Sequence, residues 1–326
     1  MNDLKHKILA LVKDDLAEIE TALEQNLNPH LDLVSKIASY ILFSGGKRLR
    51  PLLMVLSARI CGYDGDYDKT LSIIFEYLHA ATLLHDDLVD EAKLRRNKPV
   101  AHSIWDNPTA VLTGDFLLAR SLTIAAETDR PEIIKIVAEI TENMSQGEIH
   151  QLIKKGNLDL SEEEYMEIIK RKTAFLFRGA CRVGALTADG SKEEEIALSE
   201  YGFNLGIAFQ IADDLLDYSP DTGVLGKEVG ADLKEGKLTL PVINSLKTAD
   251  SKDRGQMEKI IKNSDFSLHD FETLIELMQK YGGLKYAEKL ATEYVNTAKN
   301  ALAVFKNSKT KEILLMIADY TLARRA

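Results

Sequence analysis

Two acidic runs of the form Asp-Asp-x-x-Asp, at residues 86–90 and 213–217, lie in stretches that are otherwise apolar. Residues four apart share one face of an α-helix, so the first and last carboxylates of each run project together and repel by roughly 0.2–0.5 kcal/mol per pair. Because a charge in apolar surroundings needs a partner, we expect a cation between the two runs. Carboxylate oxygens suit Mg²⁺, which usually shares its coordination with phosphates. The predicted metal ligands are Asp86, Asp87, Asp90, Asp213, Asp214 and Asp217.

The composition indicates a large apolar core and an acidic surface. The chain has 326 residues, of which 45% are hydrophobic, and its net charge of −10 disfavours a general nucleic-acid binder, which needs a basic face. Cys61 and Cys181 have no CxxC spacing, and we interpret them as buried thiols in a reducing compartment. The N-terminus lacks the apolar segment of a signal peptide, and no apolar stretch approaches the roughly 18–20 residues of a membrane span. We therefore predict a soluble, cytoplasmic protein, with peripheral membrane contact left open.

Apolar residues recur with the 3.6-residue period of an α-helix along most of the chain. Ser161 with Glu164, and Ser191 with Glu194, match the capping-box pattern that begins a helix. Evidence for strands is weak, and no Pro/Ser-rich linker divides the chain. We predict a single all-α domain, residues 1–326, of about ten or more helices. The predicted helices include residues 5–26, 31–43, 49–61, 70–92, 161–188 and 191–217, and others that open at Pro108 and Pro131.

The first basic cluster is the segment 45–51, which reads Gly-Gly-Lys-Arg-Leu-Arg-Pro. Its two glycines let the backbone approach a ligand closely. Lys47, Arg48 and Arg50 supply cationic donors suited to phosphate. Taken alone, the segment is better explained as a helix C-cap followed by a solvated basic turn.

Further cations accompany the acidic runs. The basic segment 93–98 directly follows the first run, where cations either complement the helix dipole or bind an anion beside the metals. Lys227 and Lys237 each follow a glycine in a loop that could close over a ligand. His79 lies seven residues before Asp86, and so on roughly the same helical face, although a lone histidine there is more often a core residue. Together the clusters predict a cavity where metals and cations hold a diphosphate.

These motifs resemble those of the trans-isoprenyl diphosphate synthase (polyprenyl synthetase) family, from about residue 44 to residue 241. One departure is Asn97, where the family usually has Gly after two arginines. The resemblance implies an all-α bundle around a deep central cavity, usually a homodimer, with the acidic runs facing each other across the mouth. The matching segments are Gly45 to Pro51, His79 to Asp90, Arg95-Arg96, Gly114-Asp115, Gln146-Gly147-Glu148, Lys172-Thr173, Phe209 to Asp214, Gly226-Lys227, Asp232-Leu233, Glu235 to Lys237, and Thr239-Leu240-Pro241.

The resemblance also implies a reaction, in which Mg²⁺, roughly three ions per site, promotes ionisation of an allylic diphosphate and isopentenyl diphosphate attacks the resulting cation. Asp87 and Asp214 lie about 100° around the helix from their neighbours, which favours supporting roles for them. The implied catalytic residues are Asp86, Asp90, Lys172, Asp213 and Lys227. Arg95, Lys172, Gln210, Lys227 and Lys237 are implied to bind the allylic diphosphate. Lys47, Arg50, His79 and Arg96 are implied to bind isopentenyl diphosphate, and Thr173 is a further substrate-binding residue.

Product length is expected to follow the depth of the cavity. Thr82 lies one turn before Asp86, and Ala81 lies about 7.5 Å before it along the helix axis. Short-chain members of the family typically place an aromatic residue at this level. Because Ala80, Ala81 and Thr82 are small, we predict a long-chain all-trans product, such as an octaprenyl diphosphate used as a quinone side-chain precursor.

Three other functions are compatible with parts of the pattern. A short-chain synthase or terpene cyclase would share the metal-binding carboxylates, although a cyclase does not require the basic segment 45–51. A non-catalytic subunit of a hetero-oligomeric synthase would be expected to lose carboxylates, whereas both runs are intact. A metal-dependent phosphohydrolase could use the His85-Asp86 pair, but the seven histidines form no matching set of ligands.

Overall fold

The computed structural model describes residues 2–218, 230–263 and 265–323, and these residues form α-helices, two short irregular helices and one small hairpin. The first half contains α1 (Asn2–Leu11), α2 (Lys13–Asn26), α3 (Asp32–Leu42), α4 (Leu49–Ile60), α5 (Tyr67–Val89), β1 (Leu94–Arg95), β2 (Lys98–Pro99), α6 (Ala101–Ile104), α7 (Asn107–Ala126) and α8 (Pro131–Lys154). The second half contains α9 (Glu162–Ile169), a π-helical segment (Lys170–Ala174), α10 (Phe175–Thr187), α11 (Lys192–Leu216), α12 (Ala231–Lys234), α13 (Leu240–Thr248), α14 (Ser251–Ile261), α15 (Leu268–Lys280), α16 (Gly283–Ala301), a 3₁₀ turn (Leu302–Val304) and α17 (Lys309–Ala323).

The helix starts predicted from the capping boxes and prolines are confirmed, whereas the helices predicted from residues 5 and 70 begin three residues earlier, and two predicted helices are interrupted. Ser161 and Ser191 each form a capping box with the glutamate three residues later. The helix predicted over residues 5–26 is two helices that meet at Val12. The helix predicted over residues 161–188 contains the π-helical segment, in which one extra residue per turn loosens the α-helical register.

A two-stranded antiparallel hairpin follows the first acidic run, where no strand was predicted. Leu94 pairs with Pro99 and Arg95 with Lys98, which leaves Arg96 and Asn97 as the turn. Both turn residues have positive φ, 52° and 61°, as a type I′ hairpin turn requires. Asn tolerates this left-handed conformation better than other non-glycine residues, so Asn97 preserves the turn in place of the usual glycine.

The helices that carry the acidic runs lie at the centre of the bundle. α5 packs against α4 and α7, while α11 packs against α10 and α16. The buried apolar residues form two clusters, one mainly from the N-terminal half with α17 and one from residues 160–291. Tyr294 and Leu322 pack against both clusters. α5 and α11 therefore have rigid support on several sides, which fixes the positions of their C-terminal ends.

One helix, α7, is long and apolar enough to cross a membrane by length and composition alone. The statement that no apolar stretch approaches that length is therefore wrong for these 20 residues. The helix packs along α5 and buries Leu117 and Ile124. A core helix of a bundle meets the same criterion, and packing accounts for the buried part of α7, whereas Leu112 and Leu122 face solvent.

Candidate active site

Both acidic runs lie at the C-terminal ends of long helices. Asp86 occupies the last turn of α5, which ends at Val89, and Asp90 is its C-cap. α11 ends at Leu216, one residue before Asp217. The C-terminal end of a helix carries partial negative charge and repels carboxylates. The helix positions thus add to the mutual repulsion of the carboxylates and increase the need for positive charge.

Asp86 is held in an environment that disfavours its ionised form. Burial is the main cause of the rise of its pKa to about 7, and the carboxylates of Glu148 and Asp90 raise it further. Lys172 and Lys237 oppose this rise. Near neutral pH the carboxyl group is therefore partly protonated until a cation favours its charged form.

Asp87 turns away from Asp86 toward the hairpin. Arg95 donates to Asp87 Oδ1 through Nε and Nη2, at 2.8 and 2.7 Å. Asp87 Oδ2 is buried and accepts no hydrogen bond from the described residues. Because an unsatisfied buried carboxylate oxygen is costly, this atom is suited to a further positive or hydrogen-bonding group.

In the second run, Asp214 is at the centre of a buried hydrogen-bond network. The Tyr165 hydroxyl donates to Asp214 Oδ2 at 2.6 Å, and Gln210 Nε2 donates to Oδ1 at 2.7 Å. The Thr173 hydroxyl in turn donates to Gln210 Oε1 at 2.7 Å. Burial, followed by the charge of Asp232, raises the pKa of Asp214 to about 8. Asp214 thus orients Gln210 directly and Thr173 through Gln210, as expected of a supporting carboxylate.

The other two carboxylates of the second run have different surroundings. Asp217 is 2% exposed, and its carboxylate accepts hydrogen bonds from the backbone N–H groups of Ala231 and Asp232, both at 3.2 Å. It therefore ties the end of α11 to the start of α12. Asp213 is half-buried.

Two lysines pair with carboxylates at the site, and one of them contacts the first acidic run. Lys237 Nζ donates to Asp90 Oδ2 at 2.7 Å and to Glu235 at the same distance. Burial lowers the pKa of Lys237, but the neighbouring carboxylates outweigh it and the pKa is raised. Lys172 Nζ donates to Glu148 Oε2 and Gln151 Oε1, both at 2.9 Å. One cavity of about 100 Å³ is lined by Lys172, Lys237, Gln210 and Asp214.

Lys172 and Thr173 lie in the π-helical segment. Such segments change the direction of side chains within a helix and are frequent at functional sites. Gly147 of α8 packs directly against this segment, because a Cβ atom at Gly147 would lie 2.8 Å from the backbone nitrogen of Lys172. The glycine therefore allows the close approach that sets the position of both residues.

Of the residues predicted to bind isopentenyl diphosphate, Arg50 and Arg96 lie close enough to His79 to act on its charge, whereas Lys47 lies beside Tyr320. Burial, followed by the charges of Arg50, Arg95 and Arg96, lowers the pKa of His79 well below its usual value, so the imidazole is neutral. Arg50 lies 5.1 Å above the Phe177 ring, and Lys47 lies 5.6 Å from the Tyr320 ring. The cluster combines cations with a neutral hydrogen-bonding group, an arrangement suited to a diphosphate.

The prediction that Arg48 supplies a phosphate donor is wrong. Its side chain is 5% exposed and donates to Glu20 and Glu76 rather than facing the site. The sequence places it between two residues that do belong to the basic cluster, but the left-handed backbone at Arg48, with φ of 47°, turns its side chain inward.

The carboxylates fit a divalent cation chemically, although the described residues hold no preformed group of three or more His, Cys, Asp or Glu side chains around one point. Asp90 and Asp87 face Lys237 and Arg95 instead. The donors are hard oxygens, Asp87 Oδ2 is unsatisfied, and Asp86 lacks full compensation for its burial. Each of these features favours a hard cation such as Mg²⁺.

The residues predicted to control product length are buried in α5. Ala81 is 3% exposed, and the half-buried Thr82 donates to the carbonyl of His79 at 2.9 Å. A larger apolar cavity of about 330 Å³ lies between α1, the start of α4 and α17. Neither cavity is lined by Ala81 or Thr82, so their effect on product length stays a prediction. Lys227 lies outside the described residues.

Sequence reasoning missed several residues that shape the site. Tyr165, Glu148 and Gln151 contact Asp214 or Lys172, and Glu76 contacts Arg48. Glu148 belongs to a matching segment of the family, which is the signal that could have identified it. The other three are single polar residues in helices, and only the packing of distant helices brings them to the site.

Comparisons with known proteins agree with this geometry. The family described as polyprenyl synthetase matches residues 31–278. Octaprenyl diphosphate synthase of Escherichia coli is 36% identical to this chain, with 98% of each chain covered. A short chain isoprenyl diphosphate synthase of Methanothermobacter thermautotrophicus is also 36% identical to it, with 89% of this chain and 90% of the relative covered. The crystal structure of a Caulobacter crescentus polyprenyl synthase complexed with calcium and isoprenyl diphosphate is 38% identical and superposes with a TM-score of 0.92, with 98% of each chain covered. The predicted all-α fold is confirmed.

Proposed function

Because this chain belongs to the polyprenyl synthetase family and is a prenyltransferase, we propose that it condenses isopentenyl diphosphate with an allylic diphosphate such as farnesyl diphosphate. The product is an all-trans, long-chain polyprenyl diphosphate. The observation that carries this proposal is the position of Lys237, which contacts Asp90 of the first acidic run and lines one cavity with Lys172 and with Asp214 of the second run. Carboxylates and cations at one place suit metal ions together with a diphosphate.

The metal ions are proposed to be Mg²⁺, roughly three per site, held by Asp86, Asp90 and Asp213 with support from Asp217. When bound, they stabilise the negative charge that develops on the departing diphosphate. Asp87 and Asp214 keep their supporting contacts with Arg95 and Tyr165.

Prenyl transfer requires the allylic carbon–oxygen bond to break and the isopentenyl double bond to attack the resulting cation. Lys172, Lys237 and Arg95, together with Lys227, neutralise the leaving diphosphate. Gln210 and Thr173 orient the substrate. Lys47, Arg50, His79 and Arg96 hold isopentenyl diphosphate beside it. The apolar surroundings exclude water, which would otherwise capture the cation. A proton then leaves, and we assign no protein base to it, since the departing diphosphate can accept it.

Activity is tested by incubating the pure protein with Mg²⁺, farnesyl diphosphate and labelled isopentenyl diphosphate. We expect a labelled elongated product, and we expect Asp90→Asn to lower kcat by about a hundredfold or more. Glu272→Gln removes an exposed carboxylate from α15 and serves as the matched control, with unchanged kcat. Absence of elongated product would reject synthase activity, and release of inorganic phosphate alone would favour a phosphohydrolase.

Product length is proposed to be set by the small residues below the first acidic run. Replacing Ala81 by Phe is expected to shorten the product on chromatography, because the ring would block the growing chain. The inserted ring also costs about 1–3 kcal/mol of stability through overpacking, so Ala291→Phe, at a similarly buried alanine of α16 in the other apolar cluster, is the control for overpacking alone. An unchanged chain length in folded Ala81→Phe would refute the proposed floor.

A short-chain synthase is the second candidate, since the Methanothermobacter relative is of that class. Chain-length analysis of the product separates the two. We also propose that the protein is a homodimer and acts in the cytoplasm, with brief contact with a membrane to release an apolar product.

A further inference from the structure

Arg48 is a buried arginine within a basic, solvent-facing segment. Its backbone adopts a left-handed conformation that is uncommon for a residue with a side chain. Burying a guanidinium is costly unless its donors are satisfied. Both the left-handed backbone and the burial of the guanidinium therefore destabilise Arg48 in this position, and other interactions of its side chain must compensate.

The compensation comes from three separate helices. Arg48 Nε and Nη2 donate to the Glu20 carboxylate of α2 at 2.7 and 3.2 Å, and Nη1 donates to Glu76 Oε1 of α5 at 2.7 Å. Nη2 also donates to the carbonyl of Leu42, the last residue of α3, at 2.7 Å. Only a planar guanidinium offers donors in these directions, and a lysine ammonium could not make the same set of bonds.

The guanidinium also lies against the loop that precedes it. A Cβ atom at Gly46 would lie 3.2 Å from Arg48 Nη1 and 3.7 Å from the guanidinium of Arg96. The Gly46 backbone is thus packed between these two side chains. Because Lys47 is adjacent to Arg48 and Arg50 is the second residue of α4, two residues after Arg48, the position of Arg48 sets the positions of both cations.

The partner Glu76 connects this arrangement to the first acidic run. It lies one turn before His79 on α5, the helix whose end carries Asp86. Arg48 therefore joins the loop to the same rigid helix that positions the metal-binding carboxylates. The two carboxylates also offset its charge, so Arg48 is not needed as a diphosphate ligand.

We propose that Arg48 is a positioning residue for the second substrate, which fixes the segment 44–50 against α2, α3 and α5 so that Lys47 and Arg50 meet isopentenyl diphosphate. This inference rests on the proposed function. We expect its effect to be specific, because Lys172 and Lys237, which are assigned to the allylic diphosphate, are held by a different set of partners from those of Arg48.

The test is Arg48→Lys, which keeps the charge and removes the planar fork. We expect the KM for isopentenyl diphosphate to rise by about tenfold, while the KM for farnesyl diphosphate stays within about twofold of the wild-type value. Glu20→Gln is the milder variant, because Glu20 is 40% exposed and Glu76 remains, and it should shift the same KM in the same direction by less. Calorimetric titration of each folded variant with isopentenyl diphosphate gives the same comparison without turnover.

Arg59→Lys is the matched control. Arg59 also joins α4 to α2 through a guanidinium that donates to both oxygens of Asp15, but it lies at the far end of α4 from the loop. We expect it to lower the melting temperature and leave both KM values unchanged. Equal KM values in Arg48→Lys and wild type, or equal increases for both substrates, would overturn the positioning role. Lack of elongated product in the wild type would instead overturn the proposed function.

Discussion

Asp86 and Asp214 are carboxyl groups whose burial conflicts with their charge. Their pKa values rise to about 7 and about 8 in the metal-free protein, with burial as the main cause in both. A carboxyl group with a raised folded pKa contributes most to stability below its ordinary pKa, and that contribution is lost as pH rises through the folded value. The metal-free protein therefore carries an increasing cost between acidic and mildly alkaline pH. A bound cation removes that cost.

This conflict predicts how Mg²⁺ stabilises the protein at different pH values. Metal ions bind the deprotonated carboxylates, so protons compete with Mg²⁺ at low pH. We expect saturating Mg²⁺ to raise the melting temperature more at about pH 8 than at about pH 6, as measured by differential scanning calorimetry.

Asp86→Asn should remove most of this pH dependence. Asp68→Asn is the control, because Asp68 is a buried acid at the start of the same helix, far along α5 from the site, whose pKa burial also raises. A stabilisation by Mg²⁺ that does not change with pH in the wild type would contradict the prediction.

At the level of helices, the π-helical segment Lys170–Ala174 and its contact with Gly147 determine how Lys172 and Thr173 face the site. Gly147→Ala would place a methyl group 2.8 Å from a backbone atom, so the segment must shift. We expect kcat to fall by about tenfold or more, because small displacements of positioned groups are costly to catalysis. The measurement is steady-state kinetics with both substrates, together with a thermal unfolding curve.

Gly184→Ala provides a comparison in which the steric clash is at least as severe. Its Cβ atom would lie 2.4 Å from the Met54 carbonyl oxygen, at the contact between α10 and α4. We expect a lower melting temperature with kcat little changed. If both variants lose stability and activity in proportion, the π-helical segment has no special role in catalysis.

The helices themselves were largely predictable, since periodicity and capping boxes depend on local sequence. The interruptions at Val12 and at the π-helical segment were not predictable from the sequence. Val12 is an ordinary apolar residue in a helical pattern, and the π-helical segment has good helix-forming residues, so tertiary packing decides both. The acidic runs and most basic residues of the site were predicted from spacing. The contacts of Arg48 and Tyr165 were not, because their carboxylate partners lie at least 28 residues away in sequence.

At the level of the whole molecule, α7 and α8 pack together and present an apolar surface to solvent. Ile153 is 72% exposed and is the most exposed of these side chains. Several exposed large apolar side chains on two packed helices are consistent with an interaction site, which fits the proposed homodimer. The surface residues are Leu112, Leu122, Ile149, Leu152 and Ile153.

Ile153→Lys tests this surface. We expect a shift from dimer to monomer in light scattering, because a charge within an apolar interface must lose its hydration on association. Leu268→Lys is the control, since Leu268 is 65% exposed on α15 and outside the surface. A wild-type protein that is monomeric at all concentrations would rule out the homodimer.

The contact between Lys237 and Asp90 has a thermodynamic consequence for the order of binding. A metal ion that binds Asp90 would displace the Lys237 ammonium from this carboxylate. The displaced ammonium could then bind a diphosphate beside the metal ion. The two ligands then assist each other, and by reciprocity each must increase the affinity for the other by the same factor. Diphosphate would thus bind weakly to the metal-free enzyme, and the enzyme would commit to an allylic substrate only when both are present.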